Sequence, residues 1–313
     1  MPINRLNRPI ILGVVGDSAV GKTTLSNGIA EILGKDRVAV ICTDDYHKYS
    51  RAERAENGIS ALDPKGNYVD IMEQHLQALR NGKPILKPVY NHDTGELDRP
   101  EYIESKPYII VEGLLGYTTR AMRDCYDVKI YLEPSEELRV DWKVNRDTSK
   151  RGYTREEVMA SLKKREFDTV NFIQPQRTYG DIVISFQKPA GHEEGDNQHL
   201  NARHLLRPTL PHPDFTPILE TQNGEPGITL ELTRDRHGKP VDVLEINGNI
   251  SAEHAKKLEE MLWGLIPEAS HLRQRIGTID GERNREVISH PLCLTQLLIA
   301  YHMVKAAVGE YAV

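Results

Sequence analysis

Cysteine is scarce in this chain: three residues, at positions 42, 125 and 293 of 313. That is too few and too scattered for a disulfide framework or a structural zinc site, so a reducing cytoplasm is the expected compartment. Excess positive charge is also missing. The 40 Lys and Arg stand against 46 Asp and Glu, and the net charge of −6 leaves no electrostatic case for a nucleic-acid partner. No apolar run approaches the ~20 residues of a bilayer span, so no membrane association is expected. The first residues, Met1-Pro2-Ile3-Asn4-Arg5, lack the apolar core of a secretory leader. There is no internal repeat, no low-complexity tract and no Asn-Lys-x-Asp motif for a guanine base. What remains is a globular composition, 39% hydrophobic and 27% charged, long enough for one large domain or a domain with an appendage.

Against those absences stands one dense motif, Gly16-Asp17-Ser18-Ala19-Val20-Gly21-Lys22-Thr23, which fits G-x-x-x-x-G-K-[ST]. The apolar run Pro9 to Val15 before it has strand length, and Thr24 to Leu33 after it reads as a helix. Strand, glycine loop and helix are the context that makes the pattern a phosphate-binding loop. Its glycines let backbone N–H groups turn inward, and the helix N-terminus adds partial positive charge. Lys22 can reach the β- and γ-phosphates of a nucleotide, and the Thr23 hydroxyl can ligate Mg²⁺.

Further strands are expected at Val38–Thr43, Tyr108–Val111, Asp127–Leu132 and Asp181–Phe186, separated by helical stretches at 70–80, 135–150 and from Thr154 onward. Thr154 and Glu157 have capping-box spacing. Residues 48–67 read as an ordered excursion and 84–98 as a loop or hairpin. This alternation predicts an α/β fold, a mostly parallel sheet of P-loop kinase type with helices on both faces. Residues 1–187 form the expected kinase core. Residues 188–217, rich in Pro, His, Gly and Asp, read as a connector. Residues 218–313 read as an α+β extension of the same sheet, with a hairpin around 235–240 and amphipathic helices at 251–265 and 291–308, suited to packing or dimerisation.

In open α/β sheets the chemistry gathers beyond the carboxyl ends of the strands. Asp44, at the end of the second strand, is the candidate base for a hydroxyl acceptor, while Asp45 suits a cap or a metal contact. Glu112, ending the third strand, suits a metal or a structural hydrogen bond. Arg139, Lys143, Arg146 and Lys150 share one helix face, with Asp147 four residues from Lys143. Such a stripe is either a solvated surface or a lid whose cations surround a transferring phosphoryl group. His47 and Arg51 would face the acceptor together if both sat on a short helix after the Asp pair, and His92, after Tyr90-Asn91, is a third acceptor contact. His75 and the histidines of 192–212 read as ordinary core or surface residues.

Taken together, these residues resemble the phosphoribulokinase/uridine kinase family of P-loop kinases. The resemblance rests on the loop Gly16–Thr23, Cys42-Thr43-Asp44-Asp45-Tyr46-His47, Ala61-Leu62-Asp63-Pro64, Pro88-Val89-Tyr90-Asn91-His92, Val111-Glu112-Gly113-Leu114, and Lys143-Val144-Asn145-Arg146-Asp147 with Arg151-Gly152-Tyr153. It covers roughly residues 8 to 187. A looser likeness to the plant and cyanobacterial branch extends through Val243–Gly248 and Leu294–Leu298. The resemblance implies ATP and Mg²⁺, transfer to the 1-hydroxyl of D-ribulose 5-phosphate, and a homodimer. It implies Asp44 as base, with Lys143 and Arg146 as catalytic cations. It puts the nucleotide on residues 16–23 with Thr24, and Mg²⁺ on Thr23 and Glu112. The sugar phosphate would meet His47, Arg51, Tyr90 and His92, with Asp147 and Arg151 in support. A uridine-type nucleoside kinase is the nearest alternative, although an uncharged nucleoside needs no phosphate grip of the His47/Arg51 kind. A nucleotide-binding regulator without transferase activity is a rival of another class. The bisphosphate product would feed carbon fixation or another route.

One departure has a consequence. Thioredoxin-switched members of the family carry a cysteine inside the phosphate loop, where this chain has Val20, so Cys42 lacks that mate. Oxidant treatment should therefore leave nucleotide binding unchanged. A dithiol-reversible loss of ATP affinity, measured by equilibrium titration, would contradict this.

Overall fold

Seven consecutive buried residues, Ile10 to Gly16, make the first strand. A run apolar throughout suits a strand covered on both faces. The computed structural model describes residues 7–191, 195–219, 227–273, 276–280 and 286–310. In chain order, β1 (Ile10–Gly16) leads into α1 (Lys22–Leu33), then β2 (Val38–Cys42), the short α2 (Arg51–Glu56) and α3 (Val69–Arg80). A hairpin of β3 (Ile85–Tyr90) and β4 (Leu97–Ile103) follows, before β5 (Tyr108–Gly113), α4 (Arg120–Arg123) and β6 (Val128–Leu132). Next come the paired helices α5 (Glu136–Arg151) and α6 (Arg155–Asp168), then β7 (Ile182–Gln187), β8 (Asn201–Leu206) and α7 (Thr216–Leu219). The tail holds β9 (Ile228–Arg234), β10 (Pro240–Ile246), α8 (Ala252–Leu265), β11 (Thr278–Asp280), β12 (Glu286–Ile288) and α9 (His290–Val308). Local chemistry sets several boundaries. Ser50 and Thr154 both close capping boxes, with Glu53 and Glu157, and Gly152 ends α5 in the left-handed conformation.

The main sheet runs β2-β5-β1-β6-β7-β8-β10-β9. The pairs from β2 through β7 are parallel, and those from β7 to β9 are antiparallel. The fold is thus the mostly parallel α/β sheet expected, extended at one side by the tail hairpin. Residues 188–217 are not the plain connector expected, because they contain β8, which joins the parallel strands to the hairpin. Asn201, Arg203 and His204 hide its apolar pattern. His204 nevertheless lies fully buried, its Nε2 2.8 Å from the Thr295 hydroxyl on α9.

α9 also departs from expectation. It is not amphipathic: nearly every residue from Pro291 to Ala307 is buried, including Thr295, Gln296 and His302. Among the described residues it is the one helix long and apolar enough to cross a membrane, but 89% of the relevant window is buried inside the protein. It lies against α1. The Gln296 amide donates to Thr24 O at 3.1 Å and accepts from Gly277 N at 2.9 Å. A Cβ at Gly28 would sit 2.1 Å from that amide, so this contact requires glycine.

The buried His204 makes stability depend on pH. Burial lowers its pKa from 6.5 to about 4. In the unfolded chain it takes up a proton near pH 6.5, so between those values the unfolded state binds more protons. Its contribution is therefore complete above pH 6.5 and is lost as the pH falls toward 4, to an extent of about 3 kcal/mol. Urea titrations at pH 7 and pH 4.5 should show the native chain losing roughly 2 kcal/mol more than a His204→Gln variant. Equal losses would remove His204 from the acid response.

Candidate active site

The phosphate loop follows β1. Ala19 and Gly21 have positive φ values of 64° and 90°, the alternation that turns successive N–H groups toward one point. Gly16 must lack a side chain, because a Cβ there would lie 2.5 Å from Leu132 O. Val20 is buried beneath the loop. The Lys22 ammonium curls over the loop, donating to Gly16 O at 3.0 Å and Asp17 O at 2.7 Å. Asp17 accepts from Ser18 N at 2.6 Å and from Arg139 at 3.1 Å. Thr23 and Thr24 lie exposed at the start of α1, and the Thr23 hydroxyl donates to Glu112 Oε1 at 3.0 Å.

Register brings the carboxylates beside this loop. Glu112 is opposite Val14 on one side and Cys42 on the other. Gly113 follows with φ +152°, in a space where a Cβ would strike the Thr43 hydroxyl, and that hydroxyl accepts from Leu114 N. Burial pushes the Glu112 carboxyl above its usual pKa, against Lys22 and the Thr23 bond, which pull it down, while Asp44 pushes it further up. The same carboxylate therefore senses Lys22 on one side and Asp44 on the other. Its Oε2 is buried without a hydrogen-bond partner. An orphaned carboxylate oxygen beside a threonine hydroxyl is a donor set that fits Mg²⁺, which binds through oxygen ligands.

Asp44 and Asp45 sit on a 3₁₀ turn, Thr43–Tyr46, that continues β2. Their carboxylates diverge. Asp44 is partly exposed, its Oδ2 3.9 Å from His92 Nε2. Asp45 neither caps a helix nor reaches the Glu112 pair. It accepts from the buried Lys87 ammonium and from Tyr90 N at 3.0 Å, because β3 packs on the turn.

The acceptor candidates form a wall of rings. His47 meets the edge of Tyr90 at 4.8 Å between centroids, and Tyr90 meets His92 at 5.0 Å. Burial lowers the pKa of both histidines, and nearby Asp44 opposes this. His47 does not share a helix with Arg51 as the four-residue spacing suggested. It is extended, ahead of the Ser50 cap, and its Nδ1 is held 2.6 Å from Asn67 Oδ1. Arg51 opens α2 and reaches the wall from outside, donating to His92 O. Arg54, Asn67 and Lys87 were not foreseen. Arg54 donates to the Tyr90 hydroxyl and to Tyr49 O, each at 2.7 Å. Its position three residues after Arg51 on a short helix was the available clue.

From the other side, α5 delivers the basic stripe in part. Arg146 bonds Ser18 of the loop at 3.2 Å and Asp147 at 2.9 Å. The buried Lys143 donates to Asp147 at 2.8 Å, and Arg151 lies 3.5 Å from the same carboxylate. Burial raises the Asp147 pKa, but bonds from Arg146 and Lys143 outweigh it and hold the carboxyl below its usual range. Burial pulls the Lys143 ammonium down against that same attraction. Asp147 thus joins the cations rather than the ring wall. Lys150 points to solvent. A cavity of about 540 Å³ opens between the loop, α5 and α6, lined by Ser18, Arg139, Lys143, Met159 and Thr169 among others.

The family model described as Phosphoribulokinase / Uridine kinase family matches residues 11–189. The phosphoribulokinase of Synechocystis is 32% identical over 302 residues, covering 91% of this chain and 88% of its own. The chloroplastic phosphoribulokinase of Mesembryanthemum crystallinum is 31% identical, covering 91% and 77%. A Latilactobacillus sakei uridine kinase is 31% identical but covers only 56% of this chain and 85% of its own. The solved phosphoribulokinase of Rhodobacter spheroides superposes with a TM-score of 0.60 at 19% identity, over 85% of this chain and 98% of that one, a likeness of fold. The matches to the phosphoribulokinases run well past the kinase core into the tail. On these grounds the chain belongs to the phosphoribulokinase/uridine kinase family.

Proposed function

We propose that this chain is an ATP-dependent kinase that phosphorylates the 1-hydroxyl of D-ribulose 5-phosphate, giving ribulose 1,5-bisphosphate. The observation that carries the reading is the partly exposed Asp44 carboxylate, 3.9 Å from His92, on the same end of the sheet as Lys22 and Glu112. Similarity to phosphoribulokinases across nine-tenths of the chain favours the sugar phosphate over a nucleoside, since the Latilactobacillus sakei uridine kinase matches only 56% of it.

In this reading the loop N–H groups and Lys22 cradle the nucleotide phosphates. Thr23 and Glu112 hold Mg²⁺, which supplies positive charge to the β/γ oxygens when bound. Asp44 takes the proton of the acceptor hydroxyl as its oxygen bonds to the γ-phosphorus and the bond to ADP breaks. A base so placed contributes ~10²–10⁴-fold. Arg146, already on Ser18, and Lys143, tied to it through Asp147, meet the charge developing on the equatorial oxygens. His47, Arg51, Tyr90 and His92 hold the sugar phosphate, with Arg151 and Asp147 closing from α5. Residues 1–187 carry the chemistry, and the tail, whose β9 is an edge strand of the main sheet, serves packing and a homodimer. A cytoplasmic enzyme of a small-molecule pathway, carbon fixation among the candidates, needs neither membrane nor nucleic acid.

Asp44→Asn should keep ATP affinity within about twofold and cut kcat ~10²–10⁴-fold. Near-normal turnover would remove Asp44 as base. Arg51→Ala should chiefly raise the KM for the sugar phosphate, by about tenfold, as expected for a lost charged hydrogen bond. Coupled ADP-release assays with ribulose 5-phosphate and uridine side by side decide the acceptor, and turnover of uridine alone would overturn this reading.

A further inference from the structure

The Asp45–Lys87 pair lies one residue from the proposed base, and neither member faces the acceptor. Lys87 is buried, with a side chain only 6% exposed, and Asp45 is 15% exposed. The carboxylate is divided between two donors on β3. One oxygen takes the Lys87 ammonium, and the other takes the backbone N–H of Tyr90 at 3.0 Å. In a regular strand, residues three apart point to opposite faces. Here the ladder slips by one: Lys87 pairs with Glu101 and Val89 with Asp98, so the extra residue lies on β4, opposite Pro88. Lys87 uses its side chain and Tyr90 its backbone N–H, so both reach one carboxylate on the turn that carries Asp44 without sharing a strand face. Lys87 also donates to Pro88 O at 3.2 Å and lies 3.7 Å from the exposed Glu101, so the bulge itself is tied down.

We infer that Asp45 and Lys87 are positioning residues for phosphoryl transfer: their buried ion pair, with the Tyr90 N–H bond beside it, docks the end of β3 onto the β2 turn and thereby fixes Tyr90 and His92 opposite Asp44. The inference rests on the reading of Asp44 as base. Asp44 and His92 belong to segments almost fifty residues apart, and the clamp is a direct side-chain tie between those segments. A displacement of about 1 Å between a base and its acceptor costs on the order of 10²-fold in rate.

Lys87→Met, Lys87→Arg and Asp45→Asn test this beside the wild-type chain. Lys87→Met should lower kcat with ribulose 5-phosphate about 100-fold while leaving the ATP dissociation constant within twofold. Lys87→Arg, which keeps the charge, should recover most of that loss. Amide exchange at Tyr90, followed by NMR, should quicken at least tenfold in Lys87→Met, and this readout does not depend on turnover. A Lys87→Met enzyme with kcat within threefold of wild type, or with unchanged Tyr90 exchange, overturns the clamp. So does a parallel loss of ATP affinity, which marks a general structural role. Should Lys87→Met fail to fold, Asp45→Asn carries the same two tests. A wild-type chain inactive on ribulose 5-phosphate overturns the proposed function instead, while the Tyr90 exchange still decides the clamp.

Discussion

The site depends on one constraint of register. β2, β5 and β1 are parallel, and Glu112 sits level with Val14 and with Cys42. Parallel strands end on the same edge, so whatever follows each strand converges there. The phosphate loop follows β1, the Asp44 turn follows β2, and Glu112 itself closes β5 between them. A slip of one residue in β5 would turn Glu112 to the opposite face of the sheet and put its neighbour in its place. Gly113 and Thr43 guard against that slip. The glycine accepts a backbone angle that other residues adopt only with strain, and the Thr43 hydroxyl fills the space its Cβ would need while bonding Leu114 N.

Much of this was legible in the residues because it is local. A glycine loop between a strand and a helix has one common use, and buried parallel strands are apolar without interruption. The capping box at Thr154 obeys short-range rules as well, and the 84–98 stretch, read as a loop or hairpin, is the start of the β3–β4 hairpin. What escaped was non-local or compensated. β8 carries His204 in its core position, and an imidazole reads as polar until Thr295, ninety-one residues away, is known to satisfy it. The uniform burial of α9 depends on α1 and α8 packing around it, which no window of its own sequence reveals. The His47/Arg51 spacing suggested a shared helix, but Ser50 is the cap, and a cap residue starts a helix only after itself. Lys87 reads as a surface charge until Asp45 is placed against it.

The charges on α5 follow a similar logic. Lys143, Arg146 and Arg151 cluster within three turns and repel one another. Asp147 lies among them, and its depressed pKa records that the cations stabilise its charge more than burial opposes it. Across the loop, Asp17 accepts a hydrogen bond from Arg139 at 3.1 Å. Loop and helix are therefore joined by the Arg139–Asp17 ion pair and the Arg146–Ser18 hydrogen bond.

The tail reaches the chemistry through a different route. The backbone N–H groups that hold phosphate belong to the loop and the first turn of α1, so their aim is only as good as the placement of that helix. Gln296 of α9 bonds Thr24 O in that first turn, and the missing side chain at Gly28 lets α9 approach one turn further along. The same amide takes Gly277 N, so α1 and α9 are fastened to the segment before β11 by one side chain with both its functions engaged. An apolar contact alone could slide along the helix axis, whereas a paired amide fixes the axial position as well. The late helix in this way sets the position of the helix that follows the glycine loop.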